Sequence, residues 1–153
     1  MVQISEKFRR LHISIDARLQ PQAHERRQLE QLWQSGRLHR HLDALERFYS
    51  EKRSEFIELL EDPTDNENLV AIAKLLVVQN GIVDRIAETL DQIQEIESEI
   101  WIQGELGNHD RNQIAADWTR RYARSWREWR IKEYLFAVEQ MQHRLPQCLQ
   151  LAS

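Results

Sequence analysis

Apolar residues recur along this chain at spacings of three and four, the period of one helical face. Ile4, Phe8, Leu11, Ile15 and Leu19 open the pattern and predict a helix over about 3–19. Pro21 suits the first turn of a second helix, where its missing N–H is not needed. That helix, about 21–34, takes its apolar side from Leu29, Leu32 and Trp33, and Ser35-Gly36 stops or bends it. Over about 37–62 the pattern becomes heptad-like. Leu42, Tyr49 and Phe56 hold one core position and Leu38, Leu45 and Leu59 the other, with Lys52 as the exception.

Pro63 disfavours helix at the residue before it, so Asp62-Pro63-Thr64-Asp65-Asn66 ends that element. The most regular pattern follows over about 67–103. Leu69, Leu76, Val83 and Leu90 share one heptad position; Ile72, Ile86, Ile93 and Ile100 share the other, with Gln79 between them. A single helix of that length would extend on the order of 50 Å. Gly104, Gly107, Asn108 and Asp110 form a turn in which Asn108 or Asp110 caps the next helix, expected over about 111–145 before Pro146 opens a short tail.

Long helices joined by short connections place neighbours antiparallel. The expected fold is therefore all-α: an elongated antiparallel bundle of three to four long helices with coiled-coil-like packing, forming a single domain over 1–153. Composition agrees with this. Charged residues are 30% and apolar residues 41%, with only 4 Gly and 3 Pro, too few turn formers for a sandwich or barrel. The single Cys148 excludes an intrachain disulfide and any multi-cysteine zinc cage, and the default setting is a reducing one, the cytoplasm. The first residues lack the unbroken apolar run of a secretory signal, and the apolar run 69–83 is broken by Lys74, Gln79 and Asn80, so no membrane span is expected.

Charge changes the picture more than composition does. The net charge is −4, but residues 63–110 hold 10 acidic and 2 basic side chains, whereas residues 111–153 hold 4 acidic and 8 basic. The basic part includes Trp118-Thr-Arg-Arg-Tyr-Ala-Arg-Ser-Trp-Arg-Glu-Trp-Arg130, a stretch dense in aromatics and arginines. At 100° per residue it separates into two faces. Trp118, Tyr122, Trp126 and Trp129 lie on one, beside Ile114 and Ala115; Arg120, Arg124, Arg127 and Arg130 lie on the other. The aromatic side is expected in the core, joined by Trp101 across the turn.

Three roles are open to the arginine side. It can pair with Asp84, Glu88, Asp91, Glu95, Glu97 and Glu99 of the preceding helix and fix the hairpin's register. It can meet phosphates of a nucleic acid. It can meet a membrane surface or, in preference, an acidic protein partner, since membrane binding would need the tryptophan face free and leave the bundle without one wall. The acidity of the neighbouring helix and the placement of the tryptophans away from the arginines count against the nucleic-acid role. From Ile131 onward the apolar residues change sides: Ile131, Leu135 and Val138 project where Arg120, Arg124 and Arg127 did, with Tyr134 and Met141 nearby. Ile131, Tyr134, Leu135, Val138 and Met141 are thus candidate interface residues, covered either by another part of the fold or by a second subunit.

Catalytic patterns are weak. Glu58-Leu-Leu-Glu61 followed by Glu88-Thr-Leu-Asp91 is similar to the paired carboxylates with which all-α nucleoside triphosphate pyrophosphatases hold magnesium. In antiparallel long helices Glu61 and Glu88 would stand roughly 30 Å apart, and the reading is rejected. His39 and His41 point to different faces; Glu139 and His143 share a face, but their spacing is common on helices. Asn108-His109-Asp110 is better explained by capping than by metal-dependent hydrolysis, and Cys148 as an ordinary thiol. No catalytic residue, metal site or cofactor is expected. The expected function is non-catalytic: protein–protein interaction or self-association as a homodimer. The alternative is a nucleic-acid-binding accessory role for Arg120, Arg124, Arg127 and Arg130.

Overall fold

Asp65 places its side chain where the first orphan amides of a helix emerge, accepting a hydrogen bond from the N–H of Glu67 at 3.0 Å. Local signals of this kind explain most element boundaries in the computed structural model, which describes residues 19–60 and 62–151. The structure is all-α, with no strand among the described residues. Its helices are α1 (Ala23–Gln34), α2 (Arg40–Glu51), α3 (Arg53–Leu59), α4 (Asn66–Asn80), α5 (Arg85–Glu105), α6 (Arg111–Gln140) and the short α7 (Leu145–Cys148), with a 3-10 turn at Gln142–Arg144. The helix expected over 3–19 lies outside the described residues, apart from Leu19, which packs against the core.

Two of the expected long helices are each interrupted. The stretch 37–62 keeps its apolar pattern but breaks at Lys52, the one residue that did not fit the heptad, where ψ moves to 13°. Its pattern residues Leu38, Leu42, Leu45, Tyr49, Phe56 and Leu59 are all buried. The stretch 67–103 breaks at Gly81. That glycine takes a left-handed φ of 75°, and the N–H of Gly81 closes α4 on the carbonyl of Val77. Asp84 then starts α5 by accepting from the N–H of Ala87 at 3.0 Å. Stop and start signals only three residues apart end one helix and nucleate the next, although the apolar period runs on through them. The turn after α5 is as expected: Gly107 adopts φ 95° and Asp110 caps α6 by accepting from the N–H of Gln113 at 3.1 Å. Helix α6 stops at Gln140, short of the expected 145, and Pro146 sits in the first turn of α7 instead of opening a tail.

Two compact units result. Among the described residues, one is built from those up to Val83 together with those from Arg130 onward, and the other is Asp84–Trp129. The first holds the main core, in which α2, α3 and α4 pack with the end of α6 and with α7 around Tyr49, Phe56, Ile72, Leu75, Tyr134, Val138 and Leu145. The hydroxyl of Tyr49 donates to the carbonyl of Ala73 at 2.9 Å, which satisfies the one polar atom that this ring carries into the core. The second unit is a helical hairpin of α5 and the first part of α6.

Candidate functional site

Helix α5 shows two unlike faces. Toward the hairpin, Glu88 is only 3% exposed, and its Oε2 lies 3.5 Å from Nη1 of Arg127 on α6. On the other side, Ile86, Leu90, Ile93 and Trp101 are 75%, 61%, 49% and 69% exposed. At 100° per residue these four fall within about 80° of arc, roughly opposite Glu88. They form one apolar stripe along the outer side of the helix. Glu97 falls on the same stripe, and Arg111 neutralises it from α6 at 2.8 Å. Ile102 and Leu106 leave further apolar surface at the C-terminal end of α5.

Single exposed apolar residues on a surface are ordinary; a row of them on one helical face is not. The heptad positions that were expected to be core from Leu69 through Ile100 therefore divide. Leu69, Ile72 and Leu76 are buried, whereas Ile86, Leu90 and Ile93 face solvent. Trp101, expected to join the aromatic cluster across the turn, does not. On α6, Ile114 and Trp118 are buried as expected, but Tyr122 is half exposed and Trp126 and Trp129 are intermediate.

The four arginines expected to form one row do not share an environment. Arg120 and Arg124 are largely exposed and pair with carboxylates of their own helix, Asp117 at 2.6 Å and Glu128 at 3.4 Å. Arg127 crosses the hairpin to Glu88, near the register expected for antiparallel pairing about residue 107. Arg130 belongs to the other unit and is buried there; its Nε lies 3.3 Å from Oε1 of Glu133, the same oxygen that His41 Nε2 approaches at 2.9 Å. The internal-pairing role thus holds across the hairpin for Arg127, and Arg111 makes a further cross-hairpin bridge.

The change of apolar side at Ile131 is answered within the chain. Ile131, Tyr134, Leu135, Val138 and Met141 are all buried in the core of the first unit. They are therefore covered within the chain and not exposed at a surface, whereas the exposed apolar row lies on α5. The physical reason lies in the division of α6: its residues up to Trp129 belong to the hairpin, and those from Arg130 belong to the core unit.

A second feature lies wholly within the first unit. A cleft of about 430 Å³ is floored by Val70, Ala71, Val78, Leu135 and Phe136. Glu139 stands in it with both carboxylate oxygens engaged, by Arg26 from α1 at 2.5 Å and by Lys74 from α4 at 2.7 Å. Burial pushes this carboxyl upward, but the two hydrogen bonds outweigh it and hold Glu139 below the usual carboxylate range. Arg26 also lies over the ring of Phe136 at 5.6 Å, and Lys132 holds Glu25 at 2.8 Å. These contacts clamp α1 onto α4 and α6, and their cations are already neutralised.

The remaining sequence candidates do not gather. Glu61 of the carboxylate pattern lies outside the described residues. His39 stacks on Trp33, with centroids 4.2 Å apart. Among the described residues no three His, Cys, Asp or Glu side chains converge on a point where a metal ion would fit, and no helix is long and apolar enough to cross a membrane. The α5 stripe itself escaped the sequence reading because its residues carry the same pattern as a buried seam. The chain matches no protein-family model, no curated protein and no solved structure.

Proposed function

We propose that this chain acts by protein–protein association, through a coiled-coil-like pairing of α5 with α5 of a second copy. The observation that carries the reading is the exposed stripe Ile86, Leu90, Ile93 and Trp101 on the outer side of α5. Two such stripes in contact would remove on the order of 1,000 Å² from water, close to the lower bound for a stable dimer. Apolar area of that kind stabilises by roughly 25 cal/mol per Å² before association costs are met.

Charge favours a second copy over a basic partner at this face. Helix α5 is acidic as a whole, but its carboxylates lie mainly toward the hairpin. Over residues 86–101 the stripe is bordered by Thr89, Gln94 and Ser98, and its one carboxylate, Glu97, is paired with Arg111. Like copies therefore meet there with little repulsion. The nucleic-acid alternative has less support: of its four arginines, Arg120 and Arg124 are paired within their own helix, Arg127 is engaged with a buried carboxylate, and Arg130 is buried. Sedimentation velocity over a concentration series tests the proposal. A shift toward twice the chain mass as concentration rises supports it, and a constant monomer throughout overturns it.

A further inference from the structure

On the other side of α5, away from the stripe, a groove runs between the two helices of the hairpin. We propose that it is a binding site for an organic cation, an alkylammonium or guanidinium group. Its walls are Trp118, Tyr122 and Trp126, which follow one another at i, i+4 and i+8 on α6, and Glu95 and Glu99, four apart on α5, with Ser125 at the edge. The groove is shallow and open to solvent, with a volume of about 370 Å³. The rings of Trp118 and Tyr122 stand 6.3 Å apart at 51°, so they form an angled wall and not a flat stack.

The chemistry of this wall is one-sided. No Lys, Arg or His lines the part beside Trp126; Arg121 lines the adjoining part, which shares Glu99, Trp118 and Tyr122. Glu95 makes no ion pair among the described residues, and Glu99 accepts one hydrogen bond, from the neutral amide of Gln103 at 2.9 Å. Among the described residues neither carboxylate makes an ion pair, and both stand beside aromatic faces whose quadrupoles also attract positive charge. An alkylated or planar cation suits both, because its apolar surface packs on rings while its charge meets the carboxylates. A hydrated sodium ion would gain only from the carboxylates. Toward the turn the groove continues past Gln103 and Asn108, where Arg121 lines it, and this confines the cation site to the part beside Trp126.

The site is separate from the association surface, since Glu95 and Glu99 lie about half a turn around α5 from Leu90. Its failure would leave the dimer reading untouched, and the reverse also holds. The test uses the full chain, with tryptophan fluorescence and calorimetry as readouts. The probes are tetramethylammonium chloride, sodium chloride at the same ionic strength, and a short peptide carrying one trimethyllysine. Saturable binding of tetramethylammonium with one site per chain, absent for sodium, is expected. Tyr122→Ala and Glu95→Gln, both at exposed positions, should each weaken it on the order of tenfold while helix content is unchanged. Arg120→Ala, outside the groove, should leave it unchanged. A peptide that binds more tightly than the free ion identifies a protein side chain as the source, and equal affinity identifies a free amine; both support the site. No saturable binding of either probe in the millimolar range overturns it, as does binding that neither groove variant weakens.

Discussion

Leu76 and Leu90 stand two heptads apart in one register, yet Leu76 is 4% exposed and Leu90 61% exposed. The same residue in the same pattern packs a core in α4 and faces solvent in α5. Their alanine variants should separate sharply in the isolated chain. Leu76→Ala leaves a cavity and is expected to cost about 2–5 kcal/mol of folding stability. Leu90→Ala removes an exposed side chain and should cost less than about 0.5 kcal/mol, measured by urea unfolding at a concentration where the chain is monomeric. Equal costs would mean that Leu90 is buried within its own chain.

Tyr49 offers a test of the main core. Its hydroxyl is fully buried and donates to the carbonyl of Ala73, and burial raises its pKa well above the ordinary phenol value. Tyr49→Phe keeps the ring and removes the donor, so the expected loss is about 1–2 kcal/mol. In the unmodified protein, phenolate absorbance from this residue should appear only on unfolding at high pH. A variant as stable as the parent would show that the hydrogen bond contributes nothing net.

Acid should loosen the attachment of α1. Hydrogen bonds from Lys132 and from the Gln22 N–H lower the pKa of Glu25, and those from Arg26 and Lys74 overcome burial to lower that of Glu139. Both carboxyls are more acidic folded than unfolded. Their stabilising contribution is therefore full above the ordinary carboxylate range and is lost as pH falls through the folded values. Glu139→Gln should flatten the decline of stability between about pH 5 and pH 3 and cost about 1 kcal/mol at neutral pH, since the site is only partly shielded from water. A variant with the parent's acid profile would show that Glu139 is not one of the groups that set it.

How much of this was legible can be judged residue by residue. The all-α class and the core positions Leu38, Leu42, Leu45, Tyr49, Phe56 and Leu59 follow from periodicity, because burial of one helical face is what that periodicity records. The break at Gly81 carried a local signal, Asn80-Gly81 followed by Asp84, but the heptad count continued across it and masked it. Whether Leu90 has a partner cannot be read from its own chain segment, since a seam covered by the same chain and one left open look alike in sequence. The split of the Trp-Arg stretch into two faces was legible. That Arg130 is buried beside Glu133 and His41 was not, because His41 is 89 residues away and only the tertiary fold brings it there.

Cys148 should behave as a protected thiol. Burial raises its pKa, and the charge of Glu46 raises it further. Alkylation by iodoacetamide at neutral pH is expected to be several-fold slower than for a cysteine in an unstructured peptide, and to rise to the peptide rate in denaturant. A native rate equal to the peptide's would contradict the assigned environment.

The association of α5 with its copy is tested most directly by sedimentation equilibrium of the parent chain and of the double variant Leu90→Glu, Ile93→Glu. Both substitutions fall on exposed positions, so the variant should keep the helix content of the parent by circular dichroism. The account predicts a monomer–dimer equilibrium for the parent and a monomer at every concentration for the variant. A parent that stays monomeric, or a variant that dimerises as well as the parent, would contradict it.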